Sequence, residues 1–207
     1  MQGDSLKLKL ILLGESGVGK SSIIHRFVGN NFNADQAATL GASFMVRTMP
    51  IKDIAVTFNI WDTAGQERYQ SLARLYYRKV DVAVLVYDIT QRNSYEVLKK
   101  WYGELREYGP KNTVVIIVAN KEDLVESEEV DEDEASSFAQ SIGAIYTRTS
   151  AKTNHGIDKI FKEAAGRILP ELKASVCGST ESGSVTSEGF KIGRKKSSFK
   201  KKLMLCC

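Results

Sequence analysis

Apolar runs of six to eight residues alternate along this chain with segments whose apolar positions recur every three or four residues. The first run, residues 8–13, stops at Gly14, and an amphipathic segment begins at Lys20 and continues to 28. Residues 29–43 carry no period and many small polar side chains, which predicts a long loop. Residues 44–49 and 54–61 read as strands. The four residues between them, Pro50-Ile51-Lys52-Asp53, are too few for a crossover, so this pair is expected to be antiparallel. Residues 63–70 predict a loop and 71–78 a short helix. Residues 80–87 and 113–119 are nearly continuous apolar runs, as in strands covered on both faces. Helical spacing marks 94–108, with Val97, Leu98, Trp101 and Leu105 on one stripe. Further helices are predicted at 132–142 and 157–169, the last closed by Pro170, with a short strand at 145–148 between them. This order predicts an α/β domain over residues 7–173. Its six-stranded sheet is mostly parallel with one antiparallel strand, and helices cover both faces. Ligands of such sheets bind beyond the carboxyl ends of the strands.

From Ala174 the composition turns to Ser, Gly and Thr, then to Lys, and predicts a flexible tail. Residues 1–6 form a short extension. The net charge of +4 is unevenly placed: residues 176–207 carry +5 and the rest of the chain −1. A near-neutral domain with one basic end argues against nucleic acid as a partner and fits a membrane-seeking tail. No apolar run reaches the 18 or so residues of a membrane span. The start, Met1-Gln2-Gly3-Asp4-Ser5, lacks the basic region and cleavage site of a signal peptide, and Gly3 is one position late for myristoylation. Cys177, Cys206 and Cys207 are the three cysteines, so neither a disulfide framework nor a zinc site is expected, and the cytosol is the default compartment. His25 and His155 match no catalytic pattern.

The chemistry concentrates at predicted strand ends. Gly14-Glu15-Ser16-Gly17-Val18-Gly19-Lys20-Ser21 matches G-x-x-x-x-G-K-[ST] between a strand and a helix. Such a loop curls backbone N–H groups around phosphate oxygens, with the helix dipole behind them. The phosphate-binding candidates are Glu15, Ser16, Gly17, Val18, Gly19, Lys20, Ser21 and Ser22. Lys20 is placed to reach the β- and γ-phosphates and the Ser21 hydroxyl to ligate Mg²⁺. Trp61-Asp62-Thr63-Ala64-Gly65-Gln66-Glu67 ends the third strand. Asp62 can hold Mg²⁺ through its water shell, Gly65 lets its N–H approach a γ-phosphate, and Gln66 can both donate to and accept from an attacking water. Asn120-Lys121-Glu122-Asp123 follows the fifth strand. One carboxylate, Asp123, accepts both the N1–H and the 2-amino group of guanine, a pair that adenine lacks. Asn120 can read N7 and fasten loops together, and the Lys121 stem can lie along the base. Thr149-Ser150-Ala151-Lys152 follows the sixth strand, where the Ala151 N–H would meet guanine O6. In the loop after the first helix, Thr39 is the candidate to close over Mg²⁺ and γ-phosphate, and Phe32 to meet the base edge-on. Taken singly, Thr39 is one more loop residue, Asn120–Asp123 a favoured turn composition, and the Lys/Arg tail a solvated charge run. Their weight comes from the order in which they occur.

Together these motifs resemble the small GTPases of the Ras superfamily. Tyr87-Asp88-Ile89-Thr90, Ala64-Gly65-Gln66-Glu67-Arg68-Tyr69 and the terminal Cys206-Cys207 are similar to the Rab branch. Thr39-Leu40-Gly41-Ala42-Ser43-Phe44 and the stretch from Gln70 to Arg78 are similar to its early-endosomal subgroup, although Lys79 stands where many relatives have Gly. The resemblance implies a GTP/GDP switch with Mg²⁺ as cofactor, whose loops are held through Thr39 and Gly65 while γ-phosphate is present. It implies Gln66 and Lys20 as catalytic residues. Ser21, Thr39 and Asp62 would serve the metal, and Phe32, Asn120, Lys121, Asp123, Ser150, Ala151 and Lys152 the base. Phe44, Trp61 and Tyr76 would be the aromatic trio shown to effectors, and Cys206 and Cys207 would carry geranylgeranyl groups. The implied partners are an exchange factor, a GTPase-activating protein, a GDP-dissociation inhibitor, a prenylation escort protein and effectors. The implied location is the cytoplasmic face of endosomal membranes, in exchange with the cytosol. A nucleotide-locked scaffold without turnover is the alternative, and the presence of Gln66 weighs against it. A metabolic P-loop kinase would need a second substrate site that the chain has no residues to build.

Overall fold

The computed structural model describes residues 5–39, 41–63 and 75–177. Among the described residues the main elements are β1 (Ser5–Leu13), α1 (Lys20–Gly29), β2 (Ala42–Ile51), β3 (Ile54–Thr63), β4 (Val82–Asp88), α2 (Arg92–Tyr108), β5 (Val114–Asn120), a 3₁₀ helix (Glu122–Ser127), α3 (Glu132–Ser141), β6 (Ile145–Thr149) and α4 (Ile157–Cys177). The strands form one sheet in the order β2-β3-β1-β4-β5-β6. Only the β2–β3 pair is antiparallel, with Ile51 opposite Ile54 across the tight connection.

β1, β4 and β5 are apolar on both faces because helices cover both faces. On one side Leu10, Leu12, Val84 and Ile116 pack with Ile24 and Phe27 of α1 and with Ile160, Phe161 and Ala164 of α4. The rings of Phe27 and Phe161 stack parallel, and Phe58 meets both edge-on. On the other side Ile11, Leu13, Leu85 and Ile117 pack with Tyr95, Leu98 and Trp101 of α2 and with Ala135 and Ala139 of α3. The sheet thus holds the carboxyl ends of β1, β3, β4, β5 and β6 at one rim, where the loops that carry polar chemistry emerge.

Two features differ from the expectations above. Pro170 does not end the last helix: α4 runs through it to Cys177, past the residue at which a flexible tail was expected to begin. Proline removes the hydrogen bond to the carbonyl four residues back, here that of Gly166. Gly166 and Pro170 are both exposed, so water can take that carbonyl, while buried Leu169 keeps the helix on the core. The second is the 3₁₀ helix after Asn120, which is too short and too polar to show a period. The helix expected at 71–78 lies mostly outside the described residues; its end, residues 75–77, is helical. Lys79 takes the left-handed conformation, φ 55°, which glycine adopts without steric cost.

Candidate functional site

Three glycines bend the chain between β1 and α1. Gly14, Gly17 and Gly19 have φ of 141°, 83° and 96°. A Cβ on Gly14 would lie 2.2 Å from the Val86 carbonyl oxygen, and one on Gly19 would lie 2.3 Å from Asn120 Nδ2. The second approach is functional in form. Asn120 Nδ2 donates to the Val18 carbonyl at 2.8 Å, and Thr149 Oγ1 donates to Asn120 Oδ1 at 3.1 Å. One buried amide therefore ties the glycine loop to the ends of β5 and β6.

Lys20 opens α1 with its side chain folded under the loop. Nζ donates to the carbonyls of Gly14 at 2.9 Å and Glu15 at 2.7 Å. Burial pushes its pKa down to about 8, against the pull of the Asp62 and Glu15 carboxylates. A phosphate anion favours the charged amine, so binding to the nucleotide-free protein takes up a proton once the pH passes about 8. Affinity for a phosphate-bearing ligand is expected to change little up to about pH 8 and then to fall, approaching tenfold per pH unit. Titrations of the nucleotide-free protein at several pH values check this. The same shift has the opposite sign for folding. Between pH 8 and 10.5 the unfolded chain holds a proton that the folded one has lost, so the nucleotide-free domain gains stability as pH rises through that window.

Next to Lys20, three side chains from separate segments converge. Ser21 Oγ donates to Asp62 Oδ2 at 2.5 Å and lies 2.8 Å from Thr39 Oγ1, which itself is 3.4 Å from Asp62 Oδ2. Asp62 Oδ1 is buried and has no hydrogen-bond partner among the described residues. Burial raises the Asp62 pKa, while the two hydroxyls and Lys20 oppose the rise. One carboxylate with an unpartnered oxygen beside two hydroxyls is a donor set that suits a hard divalent cation retaining several waters.

At the far end, the Asp123 carboxylate is fixed from both sides. Ser150 Oγ donates to its Oδ1 at 2.6 Å, and Lys152 Nζ lies 3.7 Å from its Oδ2. Lys121 takes the left-handed conformation, φ 67°, and its Nζ meets Asp88 Oδ2 at 2.7 Å. Ser16, Gly17, Gly19, Lys20, Ser21, Ser22, Thr39, Phe32, Asn120, Lys121, Asp123, Ala151 and Lys152 all line one cavity of about 430 Å³.

Four expected site residues stand outside the cavity wall. Glu15 turns its carboxylate to Asn93 Nδ2, Val18 buries its side chain in the core, Asp62 accepts from Ser21 and Thr39, and Ser150 lies behind Asp123. Gly65 and Gln66 lie outside the described residues, as do Cys206 and Cys207. Asn33, Ala34, Gln36, Ala37 and Ala38, with Thr63 and Leu124, supply wall that sequence reasoning left unassigned. Asp88 was also missed. Its signal is an acid ending an apolar strand, and it is fully buried, accepting from Thr90 N and Oγ1 while it holds Lys121.

The three aromatics form a row on the surface. Phe44 and Trp61 are opposite one another across β2 and β3, and their ring centroids are 4.9 Å apart; those of Trp61 and Tyr76 are also 4.9 Å apart. Phe44 is half exposed.

A glycine loop with a buried lysine, feeding one cavity on a sheet of this order, defines a P-loop nucleoside triphosphatase. Comparison with known proteins narrows the class. The Ras family pattern matches residues 9–170. The chain is 48% identical to Ras-related protein Rab-31 of Mus musculus over 187 residues, which cover 90% of this chain and 92% of that protein. It is 45% identical to Ras-related protein Rab-22A of Homo sapiens, over 97% of this chain and 98% of that one. With Ras-related protein Rab5A of Oryza sativa subsp. japonica it shares 46% identity over 80% and 82%. The chain belongs to the Ras family, within its Rab branch of small GTPases, and its activity is the hydrolysis of GTP.

Proposed function

We propose that this protein is a guanine-nucleotide switch of endosomal membranes, with GTP, GDP and Mg²⁺ held in the cavity described above. The observation that carries the reading is the cavity's two unlike ends. One has a buried lysine and a hydroxyl–carboxylate cluster. The other has a carboxylate oriented by Ser150 and Lys152.

Each residue then has a task. Backbone N–H groups of 15–22 and the Lys20 ammonium hold the phosphates. Ser21, Thr39 and Asp62 hold the cation, which when bound neutralises charge on the β- and γ-phosphates. Asp123 accepts the N1–H and 2-amino group of guanine, Ala151 N–H meets O6, and Asn120 and Lys121 complete the base pocket, with Phe32 at its edge. Thr39 and Gly65 bind their loops to the γ-phosphate, so loss of that phosphate frees both loops. Phe44, Trp61 and Tyr76 flank these loops in sequence and present the GTP form to effectors. Gln66 orients the attacking water.

The cycle requires an exchange factor to release GDP and an activating protein to speed hydrolysis. Prenyl groups on Cys206 and Cys207, placed by an escort protein and extracted by a GDP-dissociation inhibitor, join the basic tail at the membrane. Two lipid chains hold where one is marginal.

Hydrolysis tests the reading. Sites of this kind without an arginine in cis turn over at about 10⁻⁴ to 10⁻³ per second. Gln66→Leu is expected to bind GTP as tightly as wild type and to lower the single-turnover rate about tenfold or more, as loss of a water-positioning group does. Single-turnover assays on the purified proteins, without activating proteins that bring their own glutamine, decide it. Equal rates would remove Gln66 from the mechanism.

A further inference from the structure

We infer that Arg26, outside the cavity wall, is a positioning residue that sets how position 6 of the base is read. It rests on the guanine-nucleotide reading above. Arg26 is in the last turn of α1, and four of its hydrogen bonds go to neutral oxygens of two loops. Nε donates to the Ala151 carbonyl at 2.9 Å and Nη2 to the Lys152 carbonyl at 3.0 Å. Nη1 donates to the Asn30 carbonyl at 2.9 Å and to Asn30 Oδ1 at 3.2 Å. No carboxylate among the described residues makes an ion pair with it. The planar fork of a guanidinium can span adjacent carbonyls, whereas an ammonium is a point charge.

Peptide planarity turns this clamp into a readout device. In a trans peptide the C=O of one residue and the N–H of the next point in opposite directions. The Ala151 carbonyl points at Arg26, so the Lys152 N–H points away from it. The preceding peptide is fixed in the same manner: the Ser150 carbonyl accepts from His155 N at 3.1 Å, which sets the direction of the Ala151 N–H. Ala151 and Lys152 both line the cavity, and Arg26 does not. Two backbone donors are thereby presented to an acceptor at position 6, one held by the His155 bridge and one by Arg26. The same guanidinium caps Asn30, whose left-handed turn leads into Phe32, with the ring centroid 5.9 Å from the Arg26 carbon. α1 therefore carries the phosphate residues at its start and the anchor of the base loop at its end.

The experiment compares three nucleotides on the nucleotide-free full chain by competition against a fluorescent GDP analogue. 6-Thio-GDP differs from GDP only in the position-6 acceptor, and IDP only in lacking the 2-amino group that Asp123 accepts. Wild type is expected to prefer GDP over both. Arg26→Gln is expected to lower the GDP over 6-thio-GDP preference by about twofold to tenfold, the value of one hydrogen bond, and to leave the GDP over IDP preference in place. Arg26→Lys is expected to fall between, and serves as the reading if the Gln variant does not fold. A folded variant with an unchanged GDP over 6-thio-GDP ratio, or one in which both ratios fall together, overturns the role of Arg26. A wild-type protein that prefers GDP over neither analogue overturns the guanine assignment itself and this inference with it.

Discussion

Asp123→Asn is expected to turn the site from guanine to xanthine. The wild-type carboxylate is held by Ser150 and Lys152, and in the proposed site it accepts two hydrogen bonds from guanine. An amide keeps the shape but places an N–H₂ where guanine also offers a donor. Two charge-assisted bonds are lost and a donor faces a donor, so GTP affinity should fall roughly 10³-fold or more. Xanthine carries a carbonyl in place of the 2-amino group and pairs with the new amide, so xanthosine triphosphate should become the preferred ligand. Titrating wild type and variant with both nucleotides tests the exchange. A variant that keeps its GTP affinity would show that Asp123 does not read the base, whatever its place in the cavity wall.

Gly19→Ala is expected to have the second largest effect, and for a steric reason. Its Cβ would stand 2.3 Å from Asn120 Nδ2 at a φ of 96°, so the amide must leave the Val18 carbonyl or the loop must unbend. Gly17, at φ 83°, has open space where a Cβ would go. Gly17→Ala therefore bears the backbone cost alone, about 1–3 kcal/mol. Gly19→Ala adds the broken buried hydrogen bond, and its nucleotide affinity should fall by on the order of 10²-fold to 10⁴-fold. Measuring GDP dissociation constants for both alanine variants separates the two costs. Equal losses would mean that the contact with Asn120 is incidental.

The fold was largely legible because covered strands and amphipathic helices obey different periods. The apolar runs at 80–87 and 113–119 have the length and continuity of strands buried on both faces, and the four-residue link after Met49 is too short for a crossover. What the sequence indicated of the site is its location: Lys20 and Asp123 line one cavity, and Asp62 bonds to Ser21 beside it. The site was not legible where a residue acts through another. Asp88 looks like the end of an apolar run, yet it holds Lys121. Arg26 looks like a surface residue of α1, yet its partners are 125 and 126 residues away. No local pattern encodes a contact of that separation. Pro170 misled for the converse reason: its ordinary effect on a helix is cancelled by exposure of the carbonyl it leaves unpaired.

Residue 16 and residue 152 face the same cavity, and so do segments that follow β1, α1 and β5 and the end of β3. Its walls exist together only when β1 has found both β3 and β4 and β5 has found β6. A ligand that needs all of them has nothing to hold in the unfolded chain, so its whole binding free energy is added to the stability of the domain. At a nucleotide concentration a thousand times the dissociation constant, that addition is about 4 kcal/mol, comparable to the entire margin of many domains. Emptying the cavity therefore returns this amount to the unfolding equilibrium. In the proposed switch, the interval between the departure of GDP and the arrival of GTP is the one in which the domain lacks this contribution.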